Sequence, residues 1–447
     1  MTADANSRLA RTCRGLAACS IAFVLLAVPA GLRALEDDIA AALRAEIEKL
    51  QGRIEQLEAR LETEVENERS TPAVGSGAVA DLTALREPEP RRPLVQIGGR
   101  IKLDTIVNSV SAGGASSNKA DLAFVPGAIP VVGNGEDDQV KFSARNSRLW
   151  FKASTPNPLG DVAAYIEFDF FSSDTAGTET VTNGYTPRLR HGYGEWRGWL
   201  GGQTFSTLVN LRAYPEINDD GAPMGAPIVR QPMVRWSGTW GRHELMLALE
   251  SPESIIRDRS GARLTPDDER LPDFVARYIE RRLWGQWSLA GIVREIRIDQ
   301  GGVEDTAVGG GLSASGLVRV GEWNDVRFSA SAGNALGRYL STGFFDDARI
   351  DTDGALELIP SGGGYLAYRH WWSRHWRSNA VLSGSWMNRD GAHDNENEWG
   401  YSLHANLLWS PMLTTSLGVE WIQGERHLVD GRDGVLSRLQ FTAIHKF

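Results

Sequence analysis

The chain has 447 residues, of which 42% are hydrophobic, and a mean hydropathy of -0.28, which excludes a bundle of membrane-spanning helices. The formal net charge is -10, and no motif supports nucleic-acid binding or phosphate-loop chemistry. Both cysteines, Cys13 and Cys19, lie near the amino terminus, so the rest of the chain has no disulfide framework, cysteine metal site or cysteine nucleophile.

Residues 1–34 have the features of a secretory signal peptide. Three arginines precede an apolar run at 15–28, and small residues follow it. This run is too short and too close to the amino terminus for a spanning helix, so we expect cleavage after Ala30 or Ala34. The sequence before Cys19 resembles a lipoprotein box, but most of the apolar run follows that cysteine, so lipidation is the less favoured interpretation.

Residues 35–69 predict a periplasmic helix that self-associates as a coiled coil. Apolar residues recur at spacings of three and four over about three heptads, with polar residues on the other faces. A single amphipathic helix is the alternative, but no other helical surface is evident for it to pack on. Ile at a and Leu at d favour two strands, so the heptads alone do not indicate a trimer. Residues 70–93, rich in Pro, Gly, Ala and charge, predict a flexible linker.

Residues 94–447 predict a transmembrane β-barrel of sixteen antiparallel strands. The strands are expected near 95–109, 139–153, 161–172, 187–196, 198–205, 228–239, 242–251, 273–283, 285–298, 310–321, 324–335, 363–373, 375–388, 398–410, 413–424 and 434–447. Short turns alternate strictly with long loops, as in outer-membrane barrels, where tight turns face the periplasm. The long loops are expected near 110–138, 173–186, 206–227, 252–272, 299–309, 336–362, 389–397 and 425–433.

The last strand ends on an aromatic carboxy-terminal residue. Leu439, Phe441 and Phe447 fall on one face of this strand, whereas Arg438 and Gln440 fall on the other. This alternation is typical of a closing strand in a bacterial outer-membrane barrel, although a soluble edge strand could also show it. All fifteen Trp residues follow position 94, many near strand ends, which predicts aromatic belts at the membrane interfaces.

More basic than acidic side chains are expected to face the lumen, and basic rings favour anions in pores. The predicted pore-lining residues are Arg100, Lys102, Arg148, Arg188, Arg190, Arg235, Arg294, Arg327 and Arg369, together with Glu167 and Asp169. The third long loop, 206–227, is expected to fold inward as a constriction; an ordinary solvated loop is the alternative. Its charged residues are Arg212, Glu216, Asp219 and Asp220. The two aspartates could also bind a divalent ion, but their spacing fits no calcium-loop pattern, so no metal site is predicted.

Four segments of the barrel resemble the DcaP-like outer-membrane porin family. They are 188–196 (RLRHGYGEW), 202–207 (GQTFST), 230–232 (RQP) and 406–411 (NLLWSP), and the coiled coil ahead of the barrel is similar to that family too. The resemblance implies a trimeric, sixteen-stranded porin that passes small anions such as dicarboxylates by passive diffusion. The partners implied are small anionic solutes, outer-membrane lipid and lipopolysaccharide, and further copies of the chain. No cofactor is expected.

Other functions remain open at this point. A general nonselective porin and a structural or adhesin barrel would share this fold; an adhesin should have a plugged lumen or longer, more repetitive loops. An outer-membrane lipase or protease would need a nucleophile with a positioned base. The eight scattered histidines fit no hydrolase motif, so we predict that the protein is not an enzyme. The sequence favours a porin in the bacterial outer membrane.

Overall fold

The computed structural model describes residues 94–111, 119–131, 136–171 and 181–447. The predicted signal peptide, coiled coil and linker lie outside these ranges. The barrel strands are β1 (Leu94–Ser111), β2 (Glu136–Ser143), β3 (Arg148–Thr155), β4 (Val162–Asp169), β5 (Arg188–Trp196), β6 (Trp199–Phe205), β7 (Arg230–Trp240), β8 (His243–Glu250), β11 (Asp273–Arg282), β12 (Gly285–Gln300), β13 (Val303–Val320), β14 (Asn324–Gly333), β17 (Ser361–Trp371), β18 (Trp376–Met387), β19 (Asn397–Met412), β20 (Thr415–Leu428) and β21 (Asp433–Lys446).

The long loops contain a second, smaller set of elements. These are the helix α1 (Lys119–Leu122), a 3-10 helix (Pro126–Ala128) and the strands β9 (Ile256–Arg257), β10 (Arg263–Leu264), β15 (Ala348–Ile350) and β16 (Leu356–Leu358). The four short strands form their own sheet from the fourth and sixth long loops. No helix in the described part of the chain is long and apolar enough to cross a membrane.

The main sheet closes on itself as a sixteen-position antiparallel barrel, which confirms the predicted strand number. Both β2 and β3 pair with β1 and together occupy one position, and the other edge of β1 pairs with β21. At the seam, the Phe447 amide donates to the Gly99 carbonyl at 3.2 Å, and the Gly99 amide donates to the Phe447 carbonyl at 3.0 Å. A closed sheet leaves no unpaired edge, as a membrane requires.

The alternation predicted for the strands is present. On β1, Ile97 and Ile101 are exposed on the outer face, whereas Lys102 and Asp104 are buried inside the barrel. On β21, Phe441 is exposed on the outer face while its neighbours along the inner face are buried. The outer wall is therefore apolar and the inner wall carries the charged residues, as expected of a barrel in lipid.

Two predicted long loops are much shorter than expected. The segment 299–309 is not a loop, because β12 and β13 continue to a two-residue turn at Gly301 and Gly302. Both glycines have positive φ (61° and 80°), which this hairpin turn needs and which glycine adopts without strain. The eighth connection likewise contains only residues 429–432. In both hairpins the strand pairing continues through polar residues beyond the apolar part. The sequence prediction assigned these residues to loops because they are polar.

The second strand position is interrupted between β2 and β3. A turn at residues 144–147, closed by the Ser147 amide donating to the Ala144 carbonyl at 3.0 Å, divides the strand that the sequence predicted as continuous at 139–153. The side chains of Arg145 and Asn146 are buried at this break.

The interior of the barrel is not uniformly polar, contrary to the expectation from alternation. Leu208 of the third loop and Tyr339 and Leu340 of the sixth loop pack with inward residues of β8, β11 and β12, including Val275 and Ile292. A second apolar cluster joins the third loop to β17 and β18. Alternation identified the inward face correctly, but it could not show that the third and sixth loops cover part of that face.

Candidate functional site

The third long loop, residues 206–229, enters the barrel and is fixed to its wall from the beginning of the loop. The Thr207 amide donates to Glu250 Oε1 on β8 at 2.6 Å. The side-chain amide of Asn210 donates to Ser288 Oγ on β12 at 3.1 Å and to Ser315 Oγ on β13 at 3.0 Å. This part of the loop therefore lies against the inner wall of the barrel.

Glu216 anchors the middle of the third loop. Its Oε1 accepts from Arg377 Nη2 on β18 at 2.6 Å, and its Oε2 accepts from Arg369 Nη1 on β17 at 3.4 Å. Burial raises the pKa of Glu216, but the hydrogen bonds and charge of Arg377, with the charge of Arg369, outweigh burial and hold the pKa below its ordinary value of 4.5. The carboxylate is therefore ionised, and both of its oxygens accept hydrogen bonds from these two cations.

The next turn of the loop is held by buried charges of the last strands. Glu420 on β20 accepts hydrogen bonds from the backbone amides of Asn218 and Asp219, the latter at 3.3 Å. Asp219 Oδ2 accepts from Arg438 Nη1 on β21 at 2.8 Å, and neither of these side chains is exposed. Because both members of this pair are desolvated, loss of either one would leave an uncompensated buried charge.

Asp220 meets three cations on the adjoining strands β1 and β3. Its carboxylate accepts from Arg100 Nη2 at 2.8 Å and Arg148 Nη2 at 3.0 Å, and it also pairs with Lys102. Burial opposes ionisation, but the charges of Lys102, Arg100 and Arg148 hold the pKa of Asp220 well below its ordinary value. Lys102 itself is only 1% exposed, so it serves as an anchor for the loop and presents no surface to a solute.

A second charged group lies on β4 and β5, beyond Arg148. Arg188 donates to both oxygens of Asp169, at 2.9 Å and 2.7 Å. Arg190 donates to Glu167 at 2.6 Å and to Asp169 at 2.7 Å. The Arg188 side chain is 28% exposed, whereas the Arg190 side chain is 8% exposed. Arg188 therefore remains accessible to a solute. Arg190 mainly holds the side chains of Glu167 and Asp169 in place.

Arg235 on β7 completes this side of the barrel. It is half-buried, and its Nε has no hydrogen-bond partner among the described residues. We use the term basic wall for the five guanidinium groups on this side: Arg100, Arg148, Arg188, Arg190 and Arg235. A guanidinium has five N–H donors, so even the paired members retain donors for a passing anion.

The structure removes Arg294 from the predicted pore lining. This side chain is fully buried and donates to Asp273 at 3.1 Å and to Asp347 of the sixth loop at 2.9 Å. The alternation of β12 placed Arg294 on the correct face. However, the sixth loop covers it, so this residue stabilises the packing between the loop and the wall.

Three other predicted residues lie on the opposite side of the third loop. Arg327 donates to Asp325 at 2.7 Å and to the Tyr214 carbonyl at 2.6 Å, and Arg369 pairs with the same aspartate. Arg212 is exposed on the loop. With Arg327 and Arg369 it lines an open cavity of about 380 Å³ between the loop and β13, β14 and β17. These residues are separate from the basic wall.

No local sequence pattern indicates a functional role for Arg377 or His404. Arg377 lies 161 positions from its partner Glu216. His404 is buried, with Nδ1 at 3.0 Å from Glu420 Oε1 and Nε2 at 3.1 Å from Ser402 Oγ. Both residues act through the third loop, and such long-range pairs leave no local pattern. Within the described ranges, no group of three or more His, Cys, Asp or Glu is arranged to hold a metal ion.

The model of the DcaP outer membrane protein family matches residues 32–447 of this chain. The chain belongs to this family. The resemblance inferred from the four barrel segments is therefore confirmed. Comparison with curated proteins gave no match.

Solved structures of outer-membrane proteins share the fold of this DcaP family member. The outer membrane channel DcaP of Acinetobacter baumannii is 21% identical, with a TM-score of 0.68 over 79% of this chain and 97% of that one. An anion-selective porin from Comamonas acidovorans is 9% identical, with a TM-score of 0.53 over 80% and 100%. OmpF of Salmonella typhi, in complex with daunomycin, is 9% identical, with a TM-score of 0.50 over 79% and 97%.

Family membership assigns this DcaP family member to the outer membrane. Its outer wall therefore faces lipid, which explains why large apolar side chains are exposed there. Trp196, Trp199, Trp240 and Trp323 are exposed at strand ends beside the short turns. Trp at such positions favours the membrane–water interface.

Proposed function

We propose that this protein is a porin through which small anionic solutes, such as dicarboxylates, diffuse passively. The observation that carries the proposal is the arrangement of the basic wall opposite the third loop. Two of the loop carboxylates are already paired with cations of the barrel strands, Glu216 with Arg377 and Asp220 with Arg100, whereas the guanidinium groups of the basic wall keep unused donors. A solute between the loop and the wall would therefore meet available cations more often than available anions.

The chemistry of the basic wall suits weak and repeated contacts with carboxylates. A guanidinium can bind a carboxylate through two parallel hydrogen bonds, as Arg188 does with Asp169. Because Glu167 and Asp169 compete for the same donors, a solute would be held only briefly. A channel needs this balance, since a tightly bound solute would block it. The third loop is the constriction in this proposal.

The test is to replace Arg188 and Arg190 together with Ala and to measure single-channel reversal potentials in asymmetric KCl. The anion-to-cation permeability ratio should fall by about fivefold or more, the equivalent of about 1 kcal/mol for one ionic contact in water. The variant also leaves Asp169 without its two Arg partners and Glu167 with Arg148 alone, at 3.7 Å, which favours cations. Succinate flux should slow, whereas flux of a neutral sugar of similar size should not change.

The matched control is Arg270→Ala with Arg389→Ala, which removes two exposed arginines of the outer loops. It removes the same amount of positive charge as the Arg188 and Arg190 double variant, and it should preserve the anion-to-cation permeability ratio. Heat-modifiable electrophoretic mobility checks that each barrel is folded. Arg235→Ala gives a second test, because this residue has no ion pair within the described ranges whose loss would disturb folding. If anion preference and succinate flux survive in both wall variants, the double variant and Arg235→Ala, the protein is a nonselective pore.

A further inference from the structure

An open groove lies at the short-turn rim of the barrel, between the turn that joins β7 to β8 and the turn that joins β11 to β12. Its volume is about 510 Å³, and it is lined by Arg242, Arg281, Arg282, Leu283 and Trp284. Leu283 is 96% exposed and Trp284 is 48% exposed. The groove therefore combines guanidinium groups with apolar surface that the described chain leaves uncovered.

Glu280 fixes two of these arginines side by side on the outer face. Its Oε1 accepts from Arg242 Nε at 3.1 Å and also pairs with Arg282, while its Oε2 accepts from Trp287 Nε1 at 3.1 Å. The alternation of β11 places Glu280 and Arg282 on the same face as the exposed Phe274. Two cations share one carboxylate, so the group has a net positive charge and most guanidinium donors remain unused.

Aromatic rings surround this charged group on the outer wall. Trp240 stacks on His243 at 6.0 Å between ring centroids, His243 stacks on Tyr278 at 5.9 Å, and Tyr278 lies 5.5 Å from Trp287. Such amphipathic rings favour the level of lipid headgroups. The arginines therefore lie where the barrel emerges from the hydrocarbon, at the depth of lipid phosphates.

We propose that this groove binds the headgroup of an anionic phospholipid in the periplasmic leaflet of the outer membrane. Arg242 and Arg282 would bind the phosphodiester, and Leu283 and Trp284 would contact the glycerol and the upper acyl chain. Basic side chains beside a membrane attract anionic lipids, and the two fixed guanidinium groups add directed hydrogen bonds. Among the described residues, Glu280 holds two arginines of the short-turn rim on one outer-face carboxylate, so the groove is a preferred position on this rim.

The test is native mass spectrometry of the detergent-purified full-length protein, titrated with phosphatidylglycerol, cardiolipin or phosphatidylethanolamine. We expect the wild-type protein to retain the two anionic lipids in preference to phosphatidylethanolamine. Arg242→Gln with Arg282→Gln should weaken retention of the anionic lipids by about tenfold or more. Each of the two arginines is expected to raise the affinity for an anionic lipid several-fold, because it lies at the membrane surface. The Lys double variant at the same positions keeps the charge and should recover part of the binding.

The matched control is Arg197→Gln with Arg374→Gln, which removes one exposed arginine from each of two other short turns. This control should bind anionic lipid as the wild-type protein does. Equal loss in the control and the test variant would overturn the proposal, because it would reflect total charge alone. Equal retention of phosphatidylethanolamine would also overturn it, since that outcome indicates a general aromatic belt. If inorganic phosphate displaces the lipid completely at millimolar concentration, the groove is a site for a free anion.

Discussion

At the scale of single residues, two carboxylates of the third loop determine its response to acid. The pKa values of Glu216 and Asp220 are both held below their ordinary values by paired cations, against the opposing effect of burial. A carboxylate with a lowered folded pKa stabilises the fold above its ordinary pKa, and this contribution is lost only as the pH falls through the lower folded value. The loop should therefore remain anchored at a pH where exposed glutamates begin to protonate.

We accordingly expect single-channel conductance and current noise to stay constant between pH 7 and pH 4.5. Glu216→Gln should increase the noise already at pH 7, because Arg377 and Arg369 lose the charge that holds the loop. Glu322→Gln, at an exposed glutamate of a short turn, is the control and should leave the recording unchanged. A progressive change in wild-type conductance between pH 7 and pH 5 would contradict this explanation.

At the scale of elements, the seam between β1 and β21 depends on a close approach at Gly99. A Cβ atom at this position would lie 2.3 Å from the Arg148 carbonyl oxygen and 2.7 Å from the Phe447 ring. We expect Gly99→Ala, deletion of Phe447 and Phe447→Asp each to reduce the amount of folded barrel in the outer membrane. The measurement is heat-modifiable mobility of membrane fractions.

Gly201→Ala on β6 provides the matched control for this seam. A Cβ atom there meets nothing within 4 Å, and both glycines lie inside strands. The control should therefore assemble normally. Unchanged yield of the Gly99 and Phe447 variants would show that closure does not depend on this contact.

At the scale of the whole molecule, the closed pairing of residues 94–447 indicates that the barrel does not need the preceding segments to complete its sheet. We propose a homotrimer to which the predicted coiled coil at 35–69 contributes. Deletion of residues 35–93 behind a retained signal peptide should leave a heat-modifiable barrel in the outer membrane. The proportion of trimer, measured by native mass spectrometry, should fall. A truncated protein that does not fold in liposomes would mean that these segments stabilise the barrel itself.

Local patterns in the sequence predict the strands, whereas the long-range pairs between charged residues leave no such pattern. Alternation identified the sixteen strand positions and the inward arginines, because period two is a property of each strand alone. It could not distinguish Arg188, which remains accessible, from Arg294, which the sixth loop covers. Likewise, the position and composition of the third loop predicted its inward fold, but its partners Arg377 and Glu420 are remote in the chain. Tertiary pairing, and not local propensity, decides which inward charged residues remain accessible.

The anchoring of the third loop also has a mechanical consequence. The loop is bonded to β8, β12, β13, β17, β18, β20 and β21, and beyond the seam to β1 and β3. A closed sheet without internal ties can flatten into an ellipse at little cost, since its hydrogen bonds run around the circumference. Flattening here would stretch ionic bonds that cross the interior. The third loop therefore braces the barrel wall from inside. As a result, the width of the opening beside the loop depends on the shape of the barrel wall.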